Sequence, residues 1–179
     1  MAEAFSNSLT RAAGIMTSWS GSSVAAASTA ITVTSATGIG VSHLVVNANY
    51  IAGTKVQQID GTTIYTDRAS TNTASATSQI VEFLGVTTAY TSPSGTKAIL
   101  VGGTFANNTN NEVNVTIHLY DDSASSNVAI ASKIPVPNGS SFVISDAGKT
   151  VLESQDAIRV YCDTANAIDV SLSILTGVS

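Results

Sequence analysis

The sequence predicts an all-β protein with a C-terminal antiparallel β-sandwich of seven or eight strands, a small N-terminal β-barrel or roll module, and a short N-terminal leader. Ser and Thr supply about a quarter of the 179 residues, and residues of these types favour strands and turns over helices. Turn signals recur about every eight to twelve residues in the second half of the chain, as in antiparallel sandwiches. The hydrophobic fraction of 44% is enough to form a core.

The C-terminal segment, residues 85–179, has the clearest strand pattern. From Val113 to Leu119 apolar side chains alternate with polar ones, which predicts a half-buried strand. Gly102-Gly103 in an earlier strand suggests a bulge. Pro135 indicates a turn or an edge strand, because proline has no N–H to donate to a sheet.

The middle segment, residues 29–84, consists of short apolar stretches separated by turns. Asp60-Gly61 lies between two of these stretches and is a tight-turn dipeptide that predicts a hairpin. At most five strands fit into this length, which is too few for a separate sandwich. A small barrel or a two-sheet roll fits better.

The N-terminal segment, residues 1–28, differs from the rest in being rich in alanine. Its apolar residues have roughly helical spacing, which predicts one short amphipathic helix that Gly14 weakens; a partly ordered tail is the alternative. Such a segment has to dock on another surface to become stable. The residues expected to dock or to form an interface are Phe5, Leu9, Arg11, Met16 and Trp19.

Charge and composition exclude several classes of partner. The formal net charge is −5 and only 11% of residues are charged, without the basic stripe that nucleic-acid binding needs. No apolar run approaches the roughly 20 residues of a membrane span. The N-terminus lacks the apolar core of a signal peptide. We therefore expect synthesis in the cytoplasm and neither a nucleic acid nor a membrane as partner.

Residues suited to catalysis or metal binding are few. His118 is expected on the polar face of its strand as a solvated or interface histidine, since a metal site would need further converging ligands. Asp121-Asp122 lacks the oxygen spacing of a calcium loop and indicates an acidic turn. Cys162 is in phase with apolar neighbours and is expected to be buried. The sequence thus predicts no catalytic residue, no metal site and no cofactor.

Residues 84–179 and the leader resemble one known family. The stretch 4–11 is similar to a leader found on many small virion proteins of tailed bacteriophages, where a series of strands like those at 86–97, 98–109 and 113–119 follows it. Residues 30–84 depart from that pattern and look like an inserted β module of the type common in phage fibres. The resemblance implies a non-enzymatic virion component at the neck, tail exterior or head surface, with other virion proteins and copies of itself as partners.

A second class of function remains open from the sequence. A carbohydrate-binding or adhesin module for attachment to a host surface would need an exposed aromatic platform. The tyrosines that would have to form it are scattered along the chain: Tyr50, Tyr65, Tyr90, Tyr120 and Tyr161. A hydrolase is disfavoured, because no triad or paired carboxylates can be assigned.

Overall fold

The computed structural model describes residues 3–145 and 149–178. Within them it contains strands, turns and bends but no helix, which confirms the all-β prediction. The strands are β1 (Ala4–Ala13), β2 (Ile15–Val24), β3 (Ala30–Thr32), β4 (Leu44–Val46), β5 (Val56–Asp60), β6 (Thr63–Thr66), β7 (Ala76–Gly85), β8 (Thr87–Thr91), β9 (Lys97–Asn107), β10 (Val113–Asp121), β11 (Ser126–Val136), β12 (Ser141–Ile144), β13 (Thr150–Leu152), β14 (Ala157–Cys162) and β15 (Ile168–Val178).

The chain divides into two compact units. The first unit comprises Met1–Ile15 and Thr87–Ser179, and the second comprises Met16–Val86. The division predicted from the sequence was instead 1–28, 29–84 and 85–179. Residues 1, 2, 146–148 and 179 of those segments lie outside the described residues.

The first unit is an antiparallel sandwich. Its five-stranded sheet has the order β1-β15-β9-β12, with β13 also paired to β9, and its four-stranded sheet has the order β11-β10-β14-β8. The core between the sheets includes the buried side chains of Phe105, Ile117 and Leu172. The eight strands from β8 to β15 match the predicted sandwich, and β1 adds another strand from the leader.

Two local predictions for this unit hold, and a third holds in part. Val113, Val115 and Ile117 of β10 are buried on one face, as predicted, but Thr116 and His118 of the opposite face are buried as well, so the strand is not half-exposed. The pairing of β9 with β15 shifts register between Ser173 and Ile174, which produces a bulge on β9 immediately before the glycine pair. The strand that contains Pro135, β11, lies at the edge of its sheet.

The second unit is a six-stranded sheet of order β4-β7-β2-β3-β6-β5. A bridge between Leu44 and Lys55 brings its two end strands together, and the amide of Val45 donates a 2.8 Å hydrogen bond to the carbonyl of Thr54. The sheet therefore closes on itself around a core that includes Phe83, as the prediction of a small barrel requires. The β5–β6 hairpin turns at Gly61, where φ is 57°.

The helix predicted within residues 1–28 is wrong. β1 belongs to the first unit and pairs with β15, whereas β2 belongs to the second unit. Phe5 and Leu9 are four residues apart, and this spacing places two side chains on one face of either a helix or a strand. The pairing partner that decides between the two, β15, lies at the other end of the chain.

Candidate docking face

Strand β1 turns its polar side chains toward the inside of the sandwich. The hydroxyl of Ser8 donates a 2.8 Å hydrogen bond to the carbonyl of Ala89 in β8, and the hydroxyl of Thr10 donates a 3.4 Å bond to the same carbonyl. Because side chains alternate along a strand, Phe5 and Leu9 point away from the core. They are 74% and 73% exposed.

An apolar row crosses the outer surface of the five-stranded sheet. Phe5 pairs with Leu175, Leu175 pairs with Ile99, and Ile99 pairs with Val151. Directly paired residues place their side chains side by side on one face. Leu175 and Ile99 are half-buried, whereas Val151 at the far end is 51% exposed.

A second row of paired residues runs beside the first. It begins at Leu9 and continues through Ser171 and Thr104 to Val143, which is 53% exposed. Leu9 and Thr104 also line a depression with a volume of about 290 Å³. We call the outer surface of this sheet the docking face; its apolar members are Phe5, Leu9, Ile99, Val143, Val151 and Leu175.

Charge on the docking face lies at two places. Arg11 and Asp169 both line the depression, and Lys97, two residues before Ile99 in β9, forms a 3.1 Å salt bridge with Glu153. The carboxylate of Asp169 accepts a 2.8 Å hydrogen bond from the amide of Ala12. This hydrogen bond is the largest of the causes that hold the pKa of Asp169 below its usual 3.8. A hydrogen bond from the Asn108 side chain and the positive charge of Arg11 act in the same direction. Asp169 is therefore ionised at neutral pH and holds the end of β1 against β15.

The structure brings together three of the five predicted docking residues. Phe5, Leu9 and Arg11 lie in β1 at positions of one phase. Met16 and Trp19 lie in β2 of the second unit, where Trp19 packs against the core of that unit. The five residues thus do not form one docking segment, and the docking role of each remains a prediction.

Sequence reasoning missed four members of the docking face, namely Ile99, Val143, Val151 and Leu175. For Ile99 a signal was present in the uninterrupted apolar run at residues 98–101. Such a run indicates a strand that is apolar on both faces. For the others local sequence is not sufficient, because only the register of the sheet places them beside Phe5 and Leu9.

Two reactive side chains of the first unit are buried. Cys162 is fully buried, as predicted, and desolvation raises the pKa of its thiol to about 11. His118 is also buried, so of the two predicted alternatives, a solvated or an interface histidine, the solvated one is wrong. Its ring lies at a tilted angle to that of Tyr161, with 5.0 Å between centroids. Thr116 in the same phase is buried as well, so the face of β10 that was predicted to be polar and exposed is covered here.

The acidic pair Asp121-Asp122 lies where β10 ends, and residues 122–125 form a turn, as predicted. Asp121 accepts a 2.7 Å hydrogen bond from the hydroxyl of Ser123 and a 3.0 Å bond from the amide of Ala124. These bonds lower the pKa of Asp121, the Ser123 bond contributing most. The carboxylate stabilises the turn.

The tyrosines proposed for an aromatic platform differ in exposure. Tyr50 and Tyr161 are buried and belong to different units. Tyr120 is partly exposed, and the guanidinium of Arg159 lies 3.5 Å from its ring centroid. At least two of the five tyrosines are therefore not available to stack against a sugar.

The described residues contain no group of three or more His, Cys, Asp or Glu side chains placed to hold a metal ion. The same part of the chain has no helix of the length and apolar character that crossing a membrane requires. Comparison with protein-family models, curated protein sequences and solved structures finds no match for this chain.

Proposed function

We propose that this protein is a non-enzymatic structural component of a tailed-phage virion that acts by assembly. Other virion proteins or further copies of the chain cover its docking face. The observation that carries this proposal is the orientation of β1, whose serine and threonine side chains face the sandwich while Phe5 and Leu9 face outward.

This orientation exposes apolar surface that the fold does not use. Contiguous apolar patches on a protein surface mark interaction sites, and their burial contributes about 25 cal/mol per Å² of area removed from water. The polar members of the second row, Ser171 and Thr104, are uncharged. Covering them requires little desolvation of charge, which would otherwise oppose association.

The virion setting is supported by the resemblance of residues 84–179 and of the leader to small tailed-phage proteins, with the neck, the tail exterior and the head surface as the candidate positions. In that setting the leader contributes β1 to the docking face. The second unit is inserted between β1 and β8, and it is available to project from the particle or to clamp a neighbour.

Quantitative mass spectrometry of purified particles tests the proposal. Particles made from a genome that encodes this chain should contain it in multiple copies. The double substitution Phe5→Ser with Leu9→Ser should lower its incorporation at least about tenfold, since burial of two large apolar side chains is lost. Val128→Ser is the matched control, because Val128 is 60% exposed but lies in β11 of the other sheet.

Two results would contradict the proposal. One is the absence of the wild-type chain from purified particles. The other is normal incorporation of the double variant, which would show that the docking face is not what the particle contacts. Circular dichroism of the purified variants establishes that each retains its β structure.

A further inference from the structure

β1 is an edge strand of the sandwich. β1 is the end strand of its sheet, and no other described strand pairs with its outer edge. From Ala4 to Thr10 it has no proline and no charged residue, the residues by which edge strands are commonly protected from pairing; Arg11 and the register shift come after this stretch. Its unpaired N–H and C=O groups can therefore form a ladder with another strand.

The sequence of β1 is complementary to itself when two copies run antiparallel. With Asn7 opposite Asn7, Phe5 lies opposite Leu9 and Glu3 lies opposite Arg11. Each pair occurs twice, because a two-fold axis relates the strands. On the outward face of the two strands, apolar side chains therefore lie opposite apolar ones, and an acidic side chain lies opposite a basic one.

The geometry of β1 also places the centre of the pairing at Asn7. Its regular pairing with β15 runs from Ala4 to Thr10, whose midpoint is Asn7, and the register then shifts before Ala13. Ala12 has a φ of 56°, which ends the extended conformation. The length of straight strand available for pairing is therefore centred on the residue about which the sequence is complementary.

We propose that β1 pairs antiparallel with β1 of a second copy of this chain, with the two-fold axis at Asn7. The inference deepens the proposed assembly function and rests on it, since it names a second copy of the chain as the first partner and the free edge of β1 as the contact. The ladder joins two five-stranded sheets into one, and the two docking faces become a single surface. Main-chain hydrogen bonds provide affinity, and the outward side-chain pairs fix the register.

The charges near the interface agree with this register. Glu3 and Arg11 are both exposed. Arg11 also has Asp169 of its own chain close by, at the depression that both residues line. In the dimer each Arg11 has one acid from each copy, so dimerisation should weaken as salt screens these pairs.

Charge reversal on the full chain tests the register. Light scattering coupled to size exclusion and sedimentation equilibrium should show a wild-type dimer. Glu3→Arg alone and Arg11→Glu alone should each weaken dimerisation at least about tenfold, because both cross-strand pairs become like-charged. An equimolar mixture of the two variants should recover the wild-type affinity, since a mixed dimer has two opposite-charge pairs.

Leu9→Lys tests the apolar pair by placing a charge opposite Phe5, and it should give a monomer. Val128→Lys is the control, and it should leave the dimer intact. Circular dichroism and thermal melting confirm that each variant folds.

A monomeric wild-type chain at high concentration would overturn the inference. So would an oligomer whose stability is indifferent to the charge reversals and their mixture. A chain that is incorporated into particles yet monomeric in solution, with incorporation unaffected by charge reversal, would overturn the β1 dimer while leaving the virion function standing.

Discussion

Strands β1 and β10 belong to the same unit, and each has its large apolar side chains in a single phase, with opposite results. In β10 the apolar phase, Val113, Val115 and Ile117, enters the core. In β1 the apolar phase, Phe5 and Leu9, points outward and stays exposed. Alternation along a strand predicts that the two faces differ in environment, but it does not say which face lies inside the protein.

The difference comes from what each strand pairs with. β10 lies between β11 and β14, so its register is fixed on both sides. Among the described strands β1 has β15 as its single neighbour, and hydrogen bonds from Ser8 and Thr10 to Ala89 fix its orientation toward the other sheet. When the polar side chains of an edge strand bond to the other sheet, its apolar side chains face solvent and are free to contact a partner.

The largest effect should follow truncation in β10. Ile117→Ala removes a fully buried side chain from the core of the sandwich, and the free energy of unfolding of the first unit should fall by about 2–5 kcal/mol. Urea denaturation followed by circular dichroism measures the loss. Trp19 fluorescence, which reports the second unit, serves as an internal control. A loss below about 1 kcal/mol would contradict the placement of Ile117.

A smaller effect should follow removal of the charge that holds the end of β1. Asp169→Asn should cost less than about 1 kcal/mol, because an exposed carboxylate is screened by solvent. The hydrogen bond from Ala12 lowers the pKa of Asp169 below 3.8. Its contribution is therefore present above the unfolded pKa and is lost as pH falls through the folded pKa.

Urea titrations of the wild type and of Asp169→Asn at pH 7 and at successively lower pH values measure this contribution. The difference between the two proteins should shrink as the pH falls below about 4. A difference that is constant over this range would mean that the carboxylate does not stabilise β1 through its charge.

The smallest effect should follow truncation in β1. Leu9→Ala makes the same kind of change as Ile117→Ala but on the exposed phase of its strand. At protein concentrations too low for association, the free energy of unfolding should change by no more than about 0.5 kcal/mol. The same denaturation experiment measures it, and a loss comparable to that of Ile117→Ala would show that Leu9 belongs to a core.

Much of the fold could be predicted because its signals are local. The β5–β6 hairpin follows from Asp60-Gly61, β10 from its alternation, and the edge position of β11 from Pro135. The leader could not be predicted, since β1 depends on pairing with β15. His118 was misplaced because its burial also depends on contacts distant in sequence, which include Tyr161.

The docking face was predictable only in part for the same reason. Phe5, Leu9 and Arg11 are conspicuous in a short segment, whereas Val143 and Val151 look like ordinary core residues of short strands. Their common surface exists only after β9 has aligned β12, β13 and β15 beside one another. Sequence neighbours identify a strand, but a surface that crosses a sheet is a property of its register.

The pairing of β1 with β15 also has a consequence for how the chain is made. The hydroxyl of Thr176 donates a hydrogen bond to the carbonyl of Ala4, 172 positions away, so β1 leaves the ribosome long before its neighbour exists. Apart from Ile15 at the start of β2, the strands of the second unit lie within Met16–Val86, and they need no later segment in order to pair with one another. We therefore expect the inserted module to fold during translation. β1 becomes an ordered strand edge only once β15 has been synthesised and has paired with it. Association through that edge is therefore delayed until the sandwich is complete.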